Sequence, residues 1–177
     1  NVDVYCSGAK LSVQNGYCRP SVQLSDKSYC NVKGIRHPIV EKIHTQTEYI
    51  TNDIELGSGN QDGIILFGTN ACGKSTFIKS VSLNILLSQT LGICFATKFS
   101  YTPFSYFNTY LNLADCLGKE SLFQAEMNRM QQNLKIVKQH KRPVFLAIDE
   151  IFSSTNPNEA TAGGYAICKA FSKNKNL

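Results

Sequence analysis

The sequence has no Cys-x-x-Cys pair, no unbroken apolar run long enough to cross a bilayer, no internal repeat and no low-complexity tract. Each absence removes a class of protein. The seven cysteines, Cys6, Cys18, Cys30, Cys72, Cys94, Cys116 and Cys168, never lie closer than 12 positions apart and form no paired set with nearby histidines, which argues against a zinc site. Their odd number argues against a disulfide framework and predicts an intracellular, reducing compartment. The most apolar stretch, residues 85–95, is broken by Ser88, Gln89 and Gly92, and no apolar leader with a basic flank stands at the start, so no contact with a membrane is expected. Acid is scarcer than base, 13 Asp and Glu against 18 Lys and Arg, for a formal net charge of +5. The excess lies largely in Lys135, Lys138, Lys141 and Arg142 and in Lys169, Lys173 and Lys175, which read as solvated helix faces. What remains is a globular chain of 177 residues, 42% hydrophobic, long enough for one core with an appended segment.

Against that background one stretch stands out. Gly68-Thr69-Asn70-Ala71-Cys72-Gly73-Lys74-Ser75-Thr76 follows the apolar run Ile64-Ile65-Leu66-Phe67 and has the spacing GxxxxGKS of a phosphate-binding loop. The two glycines let the backbone wrap round a phosphate chain with its N–H groups inward. Lys74 brings a positive charge to the β and γ phosphates, and Ser75 offers a hydroxyl to Mg²⁺. Phe77, Ile78, Val81, Ile85 and Leu86 then recur at helical spacing, so the loop is expected to join a strand to a helix whose positive end favours the same anion. Cys72 reads as a small side chain that fits a tight loop.

The matching acidic element comes later. Val144-Phe145-Leu146-Ala147-Ile148-Asp149-Glu150 is an apolar run ending in two carboxylates, the pattern of a buried strand whose tip emerges beside a phosphate loop. Asp149 is expected to hold Mg²⁺, and Glu150 to orient or deprotonate the water that attacks the γ phosphate.

Between them the pattern predicts a helix to about residue 89, extended segments near residues 93–96 and 104–111, and a second helix with Phe123, Met127, Met130, Leu134 and Val137 on one face. Ser121 with Gln124 reads as an N-cap and its capping-box partner, and the Ser121 hydroxyl at a positive helix end also offers a second anion contact. Residues 1–56 read as short strands and turns, Ser21-Val22-Gln23-Leu24 among them. Alternating strands and helices predict an α/β fold with a mostly parallel sheet flanked by helices. The start without Met, and the end soon after a helical pattern at residues 166–171, predict a fragment of a larger protein.

Three further stretches carry a resemblance. Arg36-His37-Pro38-Ile39-Val40-Glu41, Glu48-Tyr49-Ile50-Thr51-Asn52-Asp53-Ile54 and the phosphate loop resemble the succession RHPxVE, FxxND and GPNxGGKST of the MutS family of DNA mismatch-repair ATPases. Downstream, Gly118-Lys119-Glu120-Ser121-Leu122-Phe123-Gln124-Ala125-Glu126-Met127 is similar to its G-x-S-T-F-x-x-E-M signature, and Asp149-Glu150-Ile151-Phe152-Ser153-Ser154-Thr155 to its DEIGRGT segment. The resemblance implies a P-loop NTPase of the ABC-ATPase-like type: residues 1–34 form a short mixed lead-in, and residues 35–177 an ATPase domain truncated at its C-terminus. It implies ATP and Mg²⁺ as cofactors, with Gly68, Thr69, Asn70, Ala71, Cys72, Gly73, Lys74, Ser75 and Thr76 around the phosphates. Tyr49 would stack on adenine, and Ser121 would reach in trans to the nucleotide of a second, identical MutS-like subunit.

DNA would be held by domains outside this chain, with nucleotide-dependent pairing controlling a DNA clamp. Departures from the pattern, Thr69, Ala71 and Cys72 in the loop, Leu122, and Phe152-Ser153-Ser154 in place of Gly-Arg-Gly, mark a divergent branch. Two alternatives stand beside this reading. One is a nucleotide-gated interaction module with negligible hydrolysis. The other is an ATPase of the ABC or SMC type, which is disfavoured because no LSGGQ run precedes Asp149.

Overall fold

A computed structural model describes residues 2–43, 48–58, 61–111, 122–174 and 177. The chain divides into two compact units, residues 1–25 with 29–103 and residues 26–28 with 104–177. The expected boundary after residue 34 is not where this division falls. Most of the lead-in belongs to the same unit as the phosphate loop.

The first unit contains α1 (Val2–Asn15), β1 (Ser21–Val22), β2 (Cys30–Ile35), the single turn α2 (Val40–Ile43), β3 (Asn52–Leu56), α3 (Lys74–Thr90) and β4 (Lys98–Tyr101). Its strands form one sheet in the order β1-β4-β2-β3. β1 pairs with β4 in parallel, whereas β2 runs antiparallel to both β3 and β4, so this sheet is mixed rather than mostly parallel as expected. The physical reason lies in β2 itself. Cys30, Val32 and Ile35 are buried while Lys33 is exposed, the one-faced pattern that antiparallel strands tolerate and doubly covered parallel strands do not. Val32, Ile35, Ile54, Phe99 and Tyr101 fill the sheet's buried face, with Val81 and Ile85 of α3 also buried.

Two local expectations fail here. Residues 2–15 form α1 where strands and turns were expected. The run Ile64-Ile65-Leu66-Phe67 carries no strand among the described residues, and all four side chains are exposed, Phe67 by 92%. Apolar character specifies burial only when a neighbour supplies the ladder, and that neighbour is not encoded in the run itself. Likewise, residues 93–96 contribute only the single bridge between Cys18 and Cys94.

The second unit contains β5 (Tyr106–Tyr110), α4 (Leu122–Gln139), β6 (Val144–Ile148) and α5 (Pro157–Phe171). β5 and β6 pair in parallel from Tyr106 opposite Val144 to Tyr110 opposite Ile148. The bounds of β6 are those of the apolar run read from the sequence. α4 buries Met130 and Val137 of its predicted stripe, with Phe123, Met127 and Leu134 partly buried against the same cluster. α5 starts at a defined stop. Asn156 accepts the Glu159 N–H at 3.0 Å, and Pro157 occupies the first helical position, where its missing N–H costs nothing. Tyr110, Val144, Phe152, Ile167 and Phe171 complete the core of this unit.

Candidate nucleotide site

In the first unit, α3 begins at Lys74, inside the phosphate-loop motif. Its N-cap is Gly73, held at φ 94° and ψ 10°, a left-handed conformation that favours glycine, and no side chain caps the helix. The first amides of α3 therefore have no side-chain acceptor, and they lie at the positive end of the helix. Ala71 is also left-handed, at φ 62°, so the loop alternates its curvature across Cys72. Successive amides in such a turn form a concave anion-binding surface. The Lys74 ammonium donates to the carbonyls of Gly68 at 2.9 Å and Thr69 at 2.8 Å, closing the loop on itself. Thr69, Asn70, Ala71 and Cys72 are exposed, and Ser75 and Thr76 lie half-buried in the first turn of α3.

Tyr49 is brought to this helix. Ser80 donates to the Thr76 carbonyl at 2.8 Å, which leaves its oxygen to accept from the Tyr49 hydroxyl at 3.4 Å. The Arg36-His37 stretch is a structural hub. Arg36 donates to the carbonyls of Asn15 and Gly16, pairs with Glu41 at 3.6 Å and lies over the Tyr17 ring. His37 is buried, and its Nδ1 accepts the N–H groups of Ile39 and Val40, both at 3.3 Å. Burial, with Lys79 adding to it, holds His37 below its ordinary pKa. Asp53 accepts from the Gly34 N–H and from Lys33, and those hydrogen bonds hold its carboxyl below the usual range.

Sequence reasoning missed Asn84. It is fully buried on α3, donates to the carbonyls of Arg36 and Ser80, and accepts the Phe95 N–H at 2.6 Å. It thus ties the phosphate-loop helix to the Arg36 hub. An amide between Leu83 and Ile85 in the apolar spacing of α3 was the available signal.

The second unit carries the acidic tip. Asp149 follows β6 directly, its N–H donating to the Tyr110 carbonyl at 2.8 Å, and Glu150 is exposed. The turn beyond is unusual because two large residues adopt left-handed conformations, Glu150 at φ 57° and Phe152 at φ 55°. Phe152, standing where the resembling family has glycine, is 2% exposed and meets the Phe123 ring edge-on at 5.7 Å. Room for it comes from α5, where a Cβ on Gly163 would lie 2.7 Å from the Phe152 ring.

Ser153 and Ser154 donate to the Glu126 carboxylate at 3.3 and 2.7 Å, and Glu126 is 3% exposed on α4. Two hydroxyls thus satisfy a buried carboxylate where the family pattern has an arginine. Glu126 was also missed as a structural partner. Its signal was a charged residue on the apolar stripe of α4. Ser121, the expected trans contact, lies outside the described residues with Gly118, Lys119 and Glu120. Among the described residues no cluster of three or more His, Cys, Asp or Glu forms a metal site, and no helix is long and apolar enough to cross a membrane.

In the first unit a glycine-bearing loop opens α3, and in the second a parallel strand ends in paired carboxylates. Residues 64–177 match the family profile described as MutS domain V. Over 173 residues the chain is 34% identical to the DNA mismatch repair protein MutS of Finegoldia magna, covering 97% of this chain and 20% of that protein. It is 33% identical over 173 residues to the protein of the same description from Lactobacillus helveticus, covering 97% and 19%. Against the mitochondrial DNA mismatch repair protein mutS homolog of Sarcophyton glaucum it is 29% identical over 166 residues, covering 91% and 16%. The chain belongs to the MutS family. It spans about a fifth of the length of the curated relatives it matches.

Proposed function

We propose that this chain is the ATP-binding and hydrolysing part of a MutS-type DNA mismatch-repair protein, with the fold of a P-loop NTPase. The observation that carries the reading is the start of α3, where left-handed Ala71 and Gly73, an uncapped helix end and Lys74 converge on one turn. That donor set suits a polyphosphate, being amides, a cation and no carboxylate. Lys74 exchanges the carbonyls of Gly68 and Thr69 for phosphate oxygens. Gly68, Thr69, Asn70, Ala71, Cys72, Gly73 and Thr76 shape the cradle, and Tyr49 stands ready for the base.

Ser75 and Asp149 are the residues whose oxygens would hold Mg²⁺, and such an ion supplies charge neutralisation at the phosphates. Glu150 accepts a proton from, or orients, the attacking water. Ser121 completes the site of a second, identical subunit, and nucleotide-dependent pairing of the two controls a DNA clamp built from other parts of the protein. The relatives' names place them in DNA mismatch repair, which supports this assignment.

Lys74→Ala is expected to weaken ATP binding by about 100-fold or more, since it removes a charge-assisted contact to the phosphates. Unchanged affinity in calorimetry would overturn the reading. A second reading, a nucleotide-gated interaction module with negligible hydrolysis, draws support from the turn at Glu150, where Phe-Ser-Ser stands in place of Gly-Arg-Gly. Steady-state turnover of the full-length protein separates the two. A motor hydrolyses ATP and loses turnover but not binding in Glu150→Ala, whereas a binding module shows no turnover in either form.

A further inference from the structure

The segment leading into β1 and the segment joining α3 to β4 touch at one place. Cys18 and Cys94 face each other there as an isolated antiparallel bridge, exchanging both backbone hydrogen bonds, Cys18 N–H to Cys94 O at 3.0 Å and Cys94 N–H to Cys18 O at 2.9 Å. A pair of this type has Cα atoms about 5.5 Å apart, within the roughly 4.4–6.8 Å that a disulfide spans, but its Cβ atoms stand wider than the roughly 3.5–4.5 Å of a relaxed one, so closing the bond draws the two segments together and leaves it easily reduced. Neighbours hold the register on both sides. The Tyr17 and Phe95 rings meet edge-on with centroids 4.3 Å apart, and the Arg36 N–H donates to the Phe95 carbonyl at 2.8 Å. Asn84 accepts from both the Phe95 N–H and the Cys94 thiol, so Cys94 is fixed from behind.

We propose that Cys18 and Cys94 form a dithiol site that a peroxide oxidises reversibly to a disulfide, with Cys18 as the attacking sulfur and Cys94 as the resolving one. The assignment of roles follows from access. Cys18 is half-buried and reachable, whereas Cys94 is fully buried against it. The electrostatics agree in direction. The Cys94 thiol beside it draws Cys18 below the ordinary thiol pKa, which favours its thiolate, while that same contact together with burial pushes Cys94 above the usual thiol range. Cys30, by contrast, is pushed up to about 12 by burial and stays inert.

In the first step the Cys18 thiolate attacks one oxygen of hydrogen peroxide. An S–O bond forms, the O–O bond breaks, and the departing hydroxide takes a proton to become water. In the second, the Cys94 sulfur attacks Cys18, an S–S bond replaces the S–O bond, and the leaving hydroxide departs as water with the Cys94 proton. Two thiols are oxidised and one peroxide yields two waters. The bond ties the C-terminal end of the phosphate-loop helix to the segment following α1, and a thiol reductant releases it.

The test is a graded hydrogen peroxide titration of the full-length protein. Remaining thiols are then alkylated and the peptides mapped by mass spectrometry, with the exposed Cys6 and Cys72 as internal controls. A Cys18–Cys94 linked peptide should appear at doses that leave Cys6 and Cys72 alkylated, and dithiothreitol should restore both thiols. Cys18→Ser should abolish the link. Cys94→Ala should leave Cys18 as a sulfenic acid that dimedone labels. Oxidation of Cys6 or Cys72 while Cys18 and Cys94 remain alkylated would overturn the proposal, as would oxidation of Cys18 without any link to Cys94 in the unsubstituted protein. None of these readouts depends on nucleotide binding, so the outcome is separate from that of the ATPase reading.

Discussion

The loop before α3 and the loop after β6 both turn the chain through left-handed backbone, and they are held in different ways. Before α3, the left-handed residues are small, Ala71 and Gly73, and the turn is clasped by Lys74 on the carbonyls of Gly68 and Thr69. Those contacts are polar and exposed. After β6, the left-handed residues are large, Glu150 and Phe152, each at a cost of about 1–2 kcal/mol. That turn is held from the interior, by the Phe152 ring against Phe123 and Gly163 and by Ser153 and Ser154 on buried Glu126. The two loops' conformations are therefore decided in different places. Exposed polar contacts decide the first, and the core of its own unit decides the second.

Substitutions separate the two modes of holding a turn. The largest effect is expected from Phe152→Gly. Glycine relieves the left-handed strain, yet losing a buried phenyl ring leaves a net loss of about 2–4 kcal/mol in chemical denaturation. A neutral or stabilising result would mean the ring does not hold the turn. Next is the double substitution Ser153→Ala with Ser154→Ala, which leaves the Glu126 carboxylate without its hydroxyl donors at a cost of about 1–3 kcal/mol. Adding Glu126→Leu to that background should recover part of the loss, and a further loss would contradict the latch.

Smaller still is a pH effect in the first unit. Because His37 is held below its ordinary pKa of 6.5, the unfolded chain takes up a proton that the folded chain refuses. The stability due to neutral His37 is complete above about pH 6.5 and is lost as pH falls below it. The acid side of the stability profile should therefore be shallower in His37→Asn, and identical profiles would count against the buried neutral histidine. The smallest effect is a gain. Ala71→Gly removes left-handed strain with nothing buried to lose and should stabilise by up to about 1 kcal/mol. A loss comparable with that of Phe152→Gly would erase the contrast between the loops.

Much of this was readable in advance, for identifiable reasons. The bounds of β6, the start of α3 inside the motif and the buried stripe of α4 follow from local pattern, where burial and periodicity agree. α1 was not readable, since Val2, Val4, Tyr5, Leu11 and Val13 are all exposed and only Gly8 is buried, leaving no apolar face to announce a helix. The exposed run at residues 64–67 shows the converse: strand-like composition without a ladder partner among the described residues. Around the candidate residues, motif spacing gave the positions of Lys74 and Ser75 at the start of α3 and of Asp149 and Glu150 directly after β6. Asn84, Glu126 and the Phe152–Gly163 contact were not legible, because each depends on a partner 11 or more positions away.

Nucleotide binding at the loop before α3 is tested by amide hydrogen exchange of the full-length protein with and without Mg-ATP. Slower exchange at residues 69–75 on adding nucleotide, abolished by Lys74→Ala, is the predicted result. Unchanged exchange at those residues at saturating Mg-ATP, or the same protection in the Lys74→Ala variant, would contradict it.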